Sequence, residues 1–297
     1  VIREKLIGMA GVKLPSLTPY RSIPLFRIRQ IIVVASVVGS LAIAQQWGRN
    51  RQANRADYPQ WQIDKMFERD VFTFARIQYD SYGGRGRGGG GWRNDFPDCD
   101  WNFSARLQEL TSLQVDPNGE VMRMDDDELF NHPFVYMSNC NSMSMSDSEA
   151  AGLRKYLLNG GFVMADDFWG PDSWNAIKDQ MKLVFPDREP VEISWDHPIF
   201  HIVYDLKVKP QVPSIRAWRR GYTYEYWYFN EPDPPDTDPH FWVYLDDNDR
   251  IMALMCQNND IGDGWEREGE EKEFFVRYSE KVSYPLGINI ITYAMTH

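Results

Sequence analysis

Two adjacent carboxylates, Asp166-Asp167, stand directly behind the apolar run Phe162-Val163-Met164-Ala165 and ahead of Phe168-Trp169-Gly170. Adjacent acids at the end of a buried strand can hold a hard divalent cation through oxygen ligands. One of them can instead act as a general acid or base if its neighbour raises its pKa. The plainer reading has one acid capping the next turn while the other faces solvent, because side chains alternate along an extended chain. Asp172 makes the neighbourhood more acidic still and argues against a phosphate there.

A second acidic stretch, Asn258-Asn259-Asp260-Ile261-Gly262-Asp263-Gly264-Trp265-Glu266, is bent by glycines and can wrap calcium, although it lacks the EF-hand spacing. An Asx turn packed against Trp265 explains the same residues. His197 and His201 are four apart, a metal spacing on a helix, but Pro198 lies between them and no HExxH glutamate accompanies them, so a structural turn is the simpler account. Trp218, Tyr222, Tyr224, Tyr226, Trp227, Tyr228 and Phe229 form an aromatic cluster suited either to packing or to stacking on a sugar or Pro-rich peptide. A hydrolase reading would draw its catalytic groups from Asp166, Asp167, His197 and Glu266, and a metal from Asp166, Asp167, Asp263 and Glu266. A binding reading takes Asp166, Asp167, Trp169, Asp260, Asp263 and Trp265.

Positioning these residues requires strands that end where the acids begin. Val71 to Tyr79 is dense in β-branched and aromatic residues and predicts a first strand, followed by the glycine-rich loop 83–91, a lid over the site in the functional reading. Asp100 to Leu113 predicts a helix with Phe103, Leu107 and Leu110 on one face, and Pro133 to Ser138 a short strand. Ser146-Asp147-Ser148-Glu149 is a capping box, Ala150, Leu153 and Leu157 continue that helix, and Asn159-Gly160-Gly161 ends it. Phe162 to Ala165 is then a strand. Trp174, Ile177, Met181 and Val184 mark a helix stopped by Pro186, and 241–245 with 251–256 reads as a hairpin. Leu286 to Met295 predicts a final helix. Alternating strands and helices predict an α/β fold, doubly wound around a mostly parallel sheet, with a β-rich insertion at 205–256.

The beginning of the chain reads differently. Ile31 to Ala44 is an apolar run of small and branched residues behind Arg21, Arg27 and Arg29, and it ends in Ala42-Ile43-Ala44, a small-x-small cleavage pattern. Residues 1–44 are therefore expected to be a signal peptide that exports the body to the periplasm or beyond. The alternative is an anchor in the inner membrane formed by residues 23–44. Residues 45–70 are a lead-in and 71–297 the domain. Six of the 32 Lys and Arg residues but only one of the 43 acids lie in residues 1–44, which leaves the rest at −16. Such a body is a poor partner for nucleic acid or anionic lipid. A cation, a glycan or an envelope protein partner fits better. Three cysteines, with no CxxC pair, exclude a disulfide scaffold and a zinc ribbon.

Several ordered blocks also resemble a bacterial family known as domain of unknown function 4159: 153–170 (LRKYLLNGGFVMADDFWG), 185–187 (FPD), 196–206 (DHPIFHIVYDL), 258–266 (NNDIGDGWE) and 286–297 (LGINIITYAMTH), with the ARIQY and ELTSLQV segments. The resemblance covers about residues 71–297 and implies a class I glutamine amidotransferase-like, flavodoxin-like fold in an envelope protein, with no activity attached. Enzymes of that fold present a cysteine on a sharp strand-to-helix turn, where this chain offers Asp166-Asp167. Cys140 follows another strand, lacks the flanking glycines and has no basic neighbour to activate it. Glutaminase activity is therefore not expected. The leading expectation is a non-catalytic binding or assembly module of the cell envelope with no known cofactor beyond a possible divalent cation. The alternative is a carboxylate- or metal-dependent hydrolase acting on envelope glycan or peptide.

Overall fold

The central strands are buried on both faces, so their sequences read as nearly continuous apolar runs while alternate residues serve two different cores. A computed structural model describes residues 53–67, 70–82, 91–225 and 235–297. The expected signal segment, most of the glycine loop and residues 226–229 of the aromatic cluster lie outside the described residues. Nine strands are described: β1 (Ala75–Ile77), β2 (Asp80–Ser81), β3 (Glu120–Met122), β4 (Phe134–Ser138), β5 (Met143–Ser144), β6 (Phe162–Phe168), β7 (Val191–Glu192), β8 (His240–Leu245) and β9 (Ile251–Gln257). Seven of them form one sheet in the order β3-β1-β4-β6-β9-β8-β7, and β2 pairs with β5 separately. Strands β3, β1, β4, β6 and β9 run parallel, whereas β8 is antiparallel to both its neighbours.

Helices cover both faces: α1 (Asp98–Leu110), α2 (Asp147–Leu158), α3 (Gly170–Val184), α4 (Ile215–Arg219), α5 (Ile261–Glu266) and α6 (Tyr284–Thr296). On one face Phe134, Tyr136, Phe162, Met164, Leu254 and Cys256 pack with Phe103 and Leu107 of α1 and Ile288 and Ile291 of α6. On the other, Val135, Met137, Val163, Ala165 and Met255 pack with Leu153 and Leu157 of α2 and Ile177 and Met181 of α3. The protein is thus α/β with a mostly parallel sheet, an arrangement compatible with a doubly wound fold.

Local chemistry accounts for the element ends. Ser146 accepts the Glu149 amide, and the Glu149 carboxylate accepts the Ser146 amide, so the capping box is closed in both directions. After α2 the chain reverses through Gly160 at φ 103°, and a Cβ on Gly161 would lie 2.3 Å from the Tyr156 ring. Two expectations change. Helix α1 stops at Leu110, which is exposed rather than on the core face, because it sits in the last turn. The hairpin 240–257 does not belong to a separate β-rich insertion: β8 and β9 join the main sheet, and the described part of 205–239 contains α4 and no strand. Strand β6 is also longer than expected and runs through both aspartates to Phe168. Its register against β9 shifts between Ala165 and Phe168, a bulge that carries the acid pair.

Leu153 is fully buried between α2 and the sheet, so Leu153→Ala is expected to cost about 2–5 kcal/mol in denaturant unfolding. Ser146→Ala removes only the cap and should cost about 1 kcal/mol in the same measurement. A Ser146→Ala cost equal to that of Leu153→Ala would contradict this division.

Candidate functional site

The carboxyl ends of β4, β6 and β9 converge, and each turns sharply into the following segment. Asn139 after β4, Asp167 in the β6 bulge, Asn258 after β9 and Asp95 in the turn before α1 all have left-handed backbones, with φ between 51° and 60°. Among the described residues only Asp249 shares this conformation without being glycine. Each such residue costs about 1–2 kcal/mol relative to an ordinary backbone. Asn and Asp tolerate it because their side chains bond locally, and four of the five gather at one sheet edge. Strain concentrated in this way points to a functional site.

The bulge brings both acids into the same neighbourhood, against the expectation from strict alternation. Asp166 is fully buried, and its Oδ2 accepts the Gly262 amide at 2.8 Å and the Tyr136 hydroxyl at 3.2 Å. Asp167 Oδ2 accepts amide N–H groups from Asn94 at 2.7 Å and Asn139 at 3.1 Å, while Oδ1 faces the Trp169 indole N–H at 3.4 Å. Asp260 caps α5 by accepting the Asp263 amide at 3.0 Å. Asp263 accepts the Ile215 amide on one oxygen and Arg267 Nε, at 2.9 Å, on the other.

Asp95 stands at the centre. It lies with Asp167 and Asp260 in one group, and with Asp263 and Glu266 in another, each offering carboxylate oxygens within 4.8 Å of one another. The two groups differ in charge compensation. Arg267 reaches Asp263 at 2.9 Å and Glu266 at 2.6 Å, so the second group already contains a guanidinium. Among the described residues no ion pair reaches Asp167 or Asp260. Asp95 is half-buried as a residue, yet its Oδ2 is enclosed and accepts no hydrogen bond; the same holds for Oδ1 of Asp166. Buried carboxylate oxygens without donors are costly unless a proton or a cation reaches them.

The electrostatics follow. Burial pushes Asp166 up to about 7, against the Gly262 amide that favours its ionised form. Burial raises Asp167 well above the ordinary range, with Asp95 and Glu225 adding to the effect, and raises Asp260, with Asp167 adding. Asp95 and Glu266 are raised by burial and by neighbouring acids.

Other predicted residues fall in different places. Glu266 joins the cluster through Asp95. Trp169 is fully buried, edge-on to Tyr224, and adjoins the cluster through its N–H. Trp265 is not a cleft wall: it is buried among Phe103, Phe74 and Tyr136. His197 is not brought to the acids. It caps the turn Pro198–Phe200 and packs on Tyr293, whose hydroxyl accepts the amide of Ile251 at the start of β9. The length of β9, about 20 Å, separates that end from Asp260. His201 bonds Asp205 and the Trp195 carbonyl. The three cysteines are buried and unpaired, and burial raises the Cys140 thiol far from a reactive value. Asn94 and Asp95 escaped the sequence reading, although they follow the first strand, where ligands commonly bind in such folds.

The class defined by these observations is an α/β domain with a mostly parallel sheet and an enclosed acidic site at its carboxyl edge. The chain belongs to the family described as Domain of unknown function (DUF4159), whose model matches residues 73–295. A comparison with curated proteins finds no match.

An acid whose folded pKa is raised destabilises the fold once the unfolded chain ionises more readily. For Asp166 that stability is complete below about pH 4 and is lost as pH rises towards about 7. In chelator, Asp166→Asn should therefore gain stability on wild type by a few kcal/mol between pH 4 and 7, measured by urea unfolding. A constant difference across that window would contradict the assignment.

Proposed function

We infer that this chain is an exported envelope protein whose carboxyl-edge site binds one hard divalent cation, making it a binding module rather than a glutaminase. The observation that carries this reading is the group Asp95, Asp167 and Asp260, which no ion pair reaches among the described residues, with an enclosed oxygen on Asp95 that no N–H or hydroxyl donor reaches. Its donors are all carboxylate oxygens, which suit calcium, magnesium or manganese better than zinc or copper. Size supports an ion over a glycan or peptide: Asp166, Asp167 and Asp260 are only 0–4% exposed. An ion there would tie together three segments that are remote in sequence, the turn before α1, the β6 bulge and the start of α5, ordering the edge for an envelope protein partner or a glycan.

The amidotransferase-like fold belongs to the same proposal. In its support, the left-handed backbone at Asp167, near the end of β6 and just ahead of α3, is a sharp bend of the kind the resemblance implies, with the Asp167 carboxylate where a thiol would stand. Export rests on residues 1–44 read as a signal peptide, or on residues 23–44 read as an anchor to the inner membrane. No described helix is long and apolar enough to cross a membrane. The hydrolase alternative draws on Asp166, whose proton sits near neutrality, and it would need substrate to reach a carboxylate that is fully enclosed.

The test is thermal unfolding of the full chain with calcium, magnesium, manganese or zinc. A ligand at a hundred times its dissociation constant contributes about 2.7 kcal/mol, a clear rise in melting midpoint. Asp260→Asn should abolish the rise while keeping the helix cap, since Asn caps as well as Asp. Glu266→Gln should leave it in place. No rise with any ion, or a rise lost in Glu266→Gln and kept in Asp260→Asn, would overturn the assignment.

A further inference from the structure

Strand β1 carries an arginine in the middle of an aromatic core. Arg76 is fully buried, between Ala75 and Ile77, and its guanidinium lies 4.9 Å from the Tyr136 ring centroid and 5.7 Å from that of Phe96. Its Nε donates to both oxygens of Asp100 at 3.0 Å, and Nη2 donates to Asp100 Oδ1. A buried pair of this kind seldom adds net stability, since apolar side chains of similar volume do as well. The fold alone does not explain why β1 carries an arginine.

The remaining donors suggest the reason. Nη1 donates to the carbonyls of Trp92 at 3.1 Å and Asn94 at 3.0 Å, the second being the peptide that leads into Asp95. One rigid fork therefore grips the turn just ahead of the left-handed residue that both carboxylate groups share. The same turn aims the Asn94 amide at Asp167 Oδ2. The ring on which the guanidinium rests belongs to Tyr136, whose hydroxyl donates to Asp166. Arg76 thus touches none of the three proposed ligands through its side chain, yet it reaches two of them, Asp95 and Asp167, and also the neighbouring Asp166, through one intermediary each.

We propose that Arg76, anchored by Asp100, is the positioning residue of the cation site and acts by fixing the 92–95 turn so that Asp95 and Asn94 meet Asp167. This rests on the cation-binding reading above. A lysine cannot replace it, because one ammonium cannot span Asp100 and two carbonyls in a fixed plane. Partners that orient ligands in this way change metal affinity by about 10–100-fold when removed.

The experiment uses the full chain and terbium(III), an oxygen-seeking probe read by tryptophan-sensitised luminescence, with calcium as competitor. Wild type is compared with Arg76→Lys and with the double variant Arg76→Met/Asp100→Leu, which removes the pair without stranding a charge. Both variants are expected to bind about 10–100-fold more weakly, while the ion-free double variant melts within a few degrees of wild type. A purely structural pair would shift melting and leave the affinity of the folded protein unchanged. Variants that bind as tightly as wild type overturn the positioning role and leave the cation site standing. Wild type that binds neither ion overturns both. If the double variant does not fold, Arg76→Lys decides: wild-type affinity in it refutes the proposal, and a tenfold or greater loss supports it.

Discussion

Carboxylates held out of water must find donors, protons or cations, and the carboxyl edge of this sheet depends on that constraint. Asp95, Asp166, Asp167, Asp260, Asp263 and Glu266 come together there, while among the described residues Arg267 pairs with Asp263, Glu266 and Glu270, the last beyond the end of α5. Backbone amides and asparagine side chains satisfy some oxygens and leave others bare. The arrangement is poor as a device for stability, because apolar residues would fill the same space at lower cost. It makes physical sense as a receptor for positive charge.

The rest of the fold serves that edge. Two apolar cores clamp the sheet from both faces and fix the heights at which β4, β6 and β9 end. The β6 bulge and the left-handed residues then turn each chain end inwards, a local cost that the packed cores hold in place. Arg76 and Asp100 extend the same logic to the turn before α1, which carries no regular structure to hold Asp95.

Much of this was legible in residue order. The capping box at Ser146, the glycine stop at Gly160 and the apolar run 162–165 each carry a local signal, and the structure keeps them. Asp166-Asp167 and the 258–266 loop were identifiable as acids at strand ends. What was not legible depends on contacts across the chain. Asp95 sits in an unremarkable WRNDFPD stretch, and only the sheet order brings it to Asp167 and Asp260. The bulge that defeats alternation at Asp167 leaves no periodic signature. His197 looked chemical by residue type, yet it lies at the other end of β9 because the strand direction, not the spacing, decides its neighbours. The pairing within the hairpin 240–257 is legible in the residue pattern, but its place in the main sheet is not, since local pattern does not reveal which sheet a hairpin joins.

The most direct measurement is a crystal structure of the full chain grown with manganese, located by its anomalous scattering. One peak among Asp95, Asp167 and Asp260, at about 2.0–2.3 Å from their oxygens, is the expected result. A peak seated instead on Asp263 and Glu266 with Arg267 displaced, or no ordered manganese at this edge, would contradict the cation site.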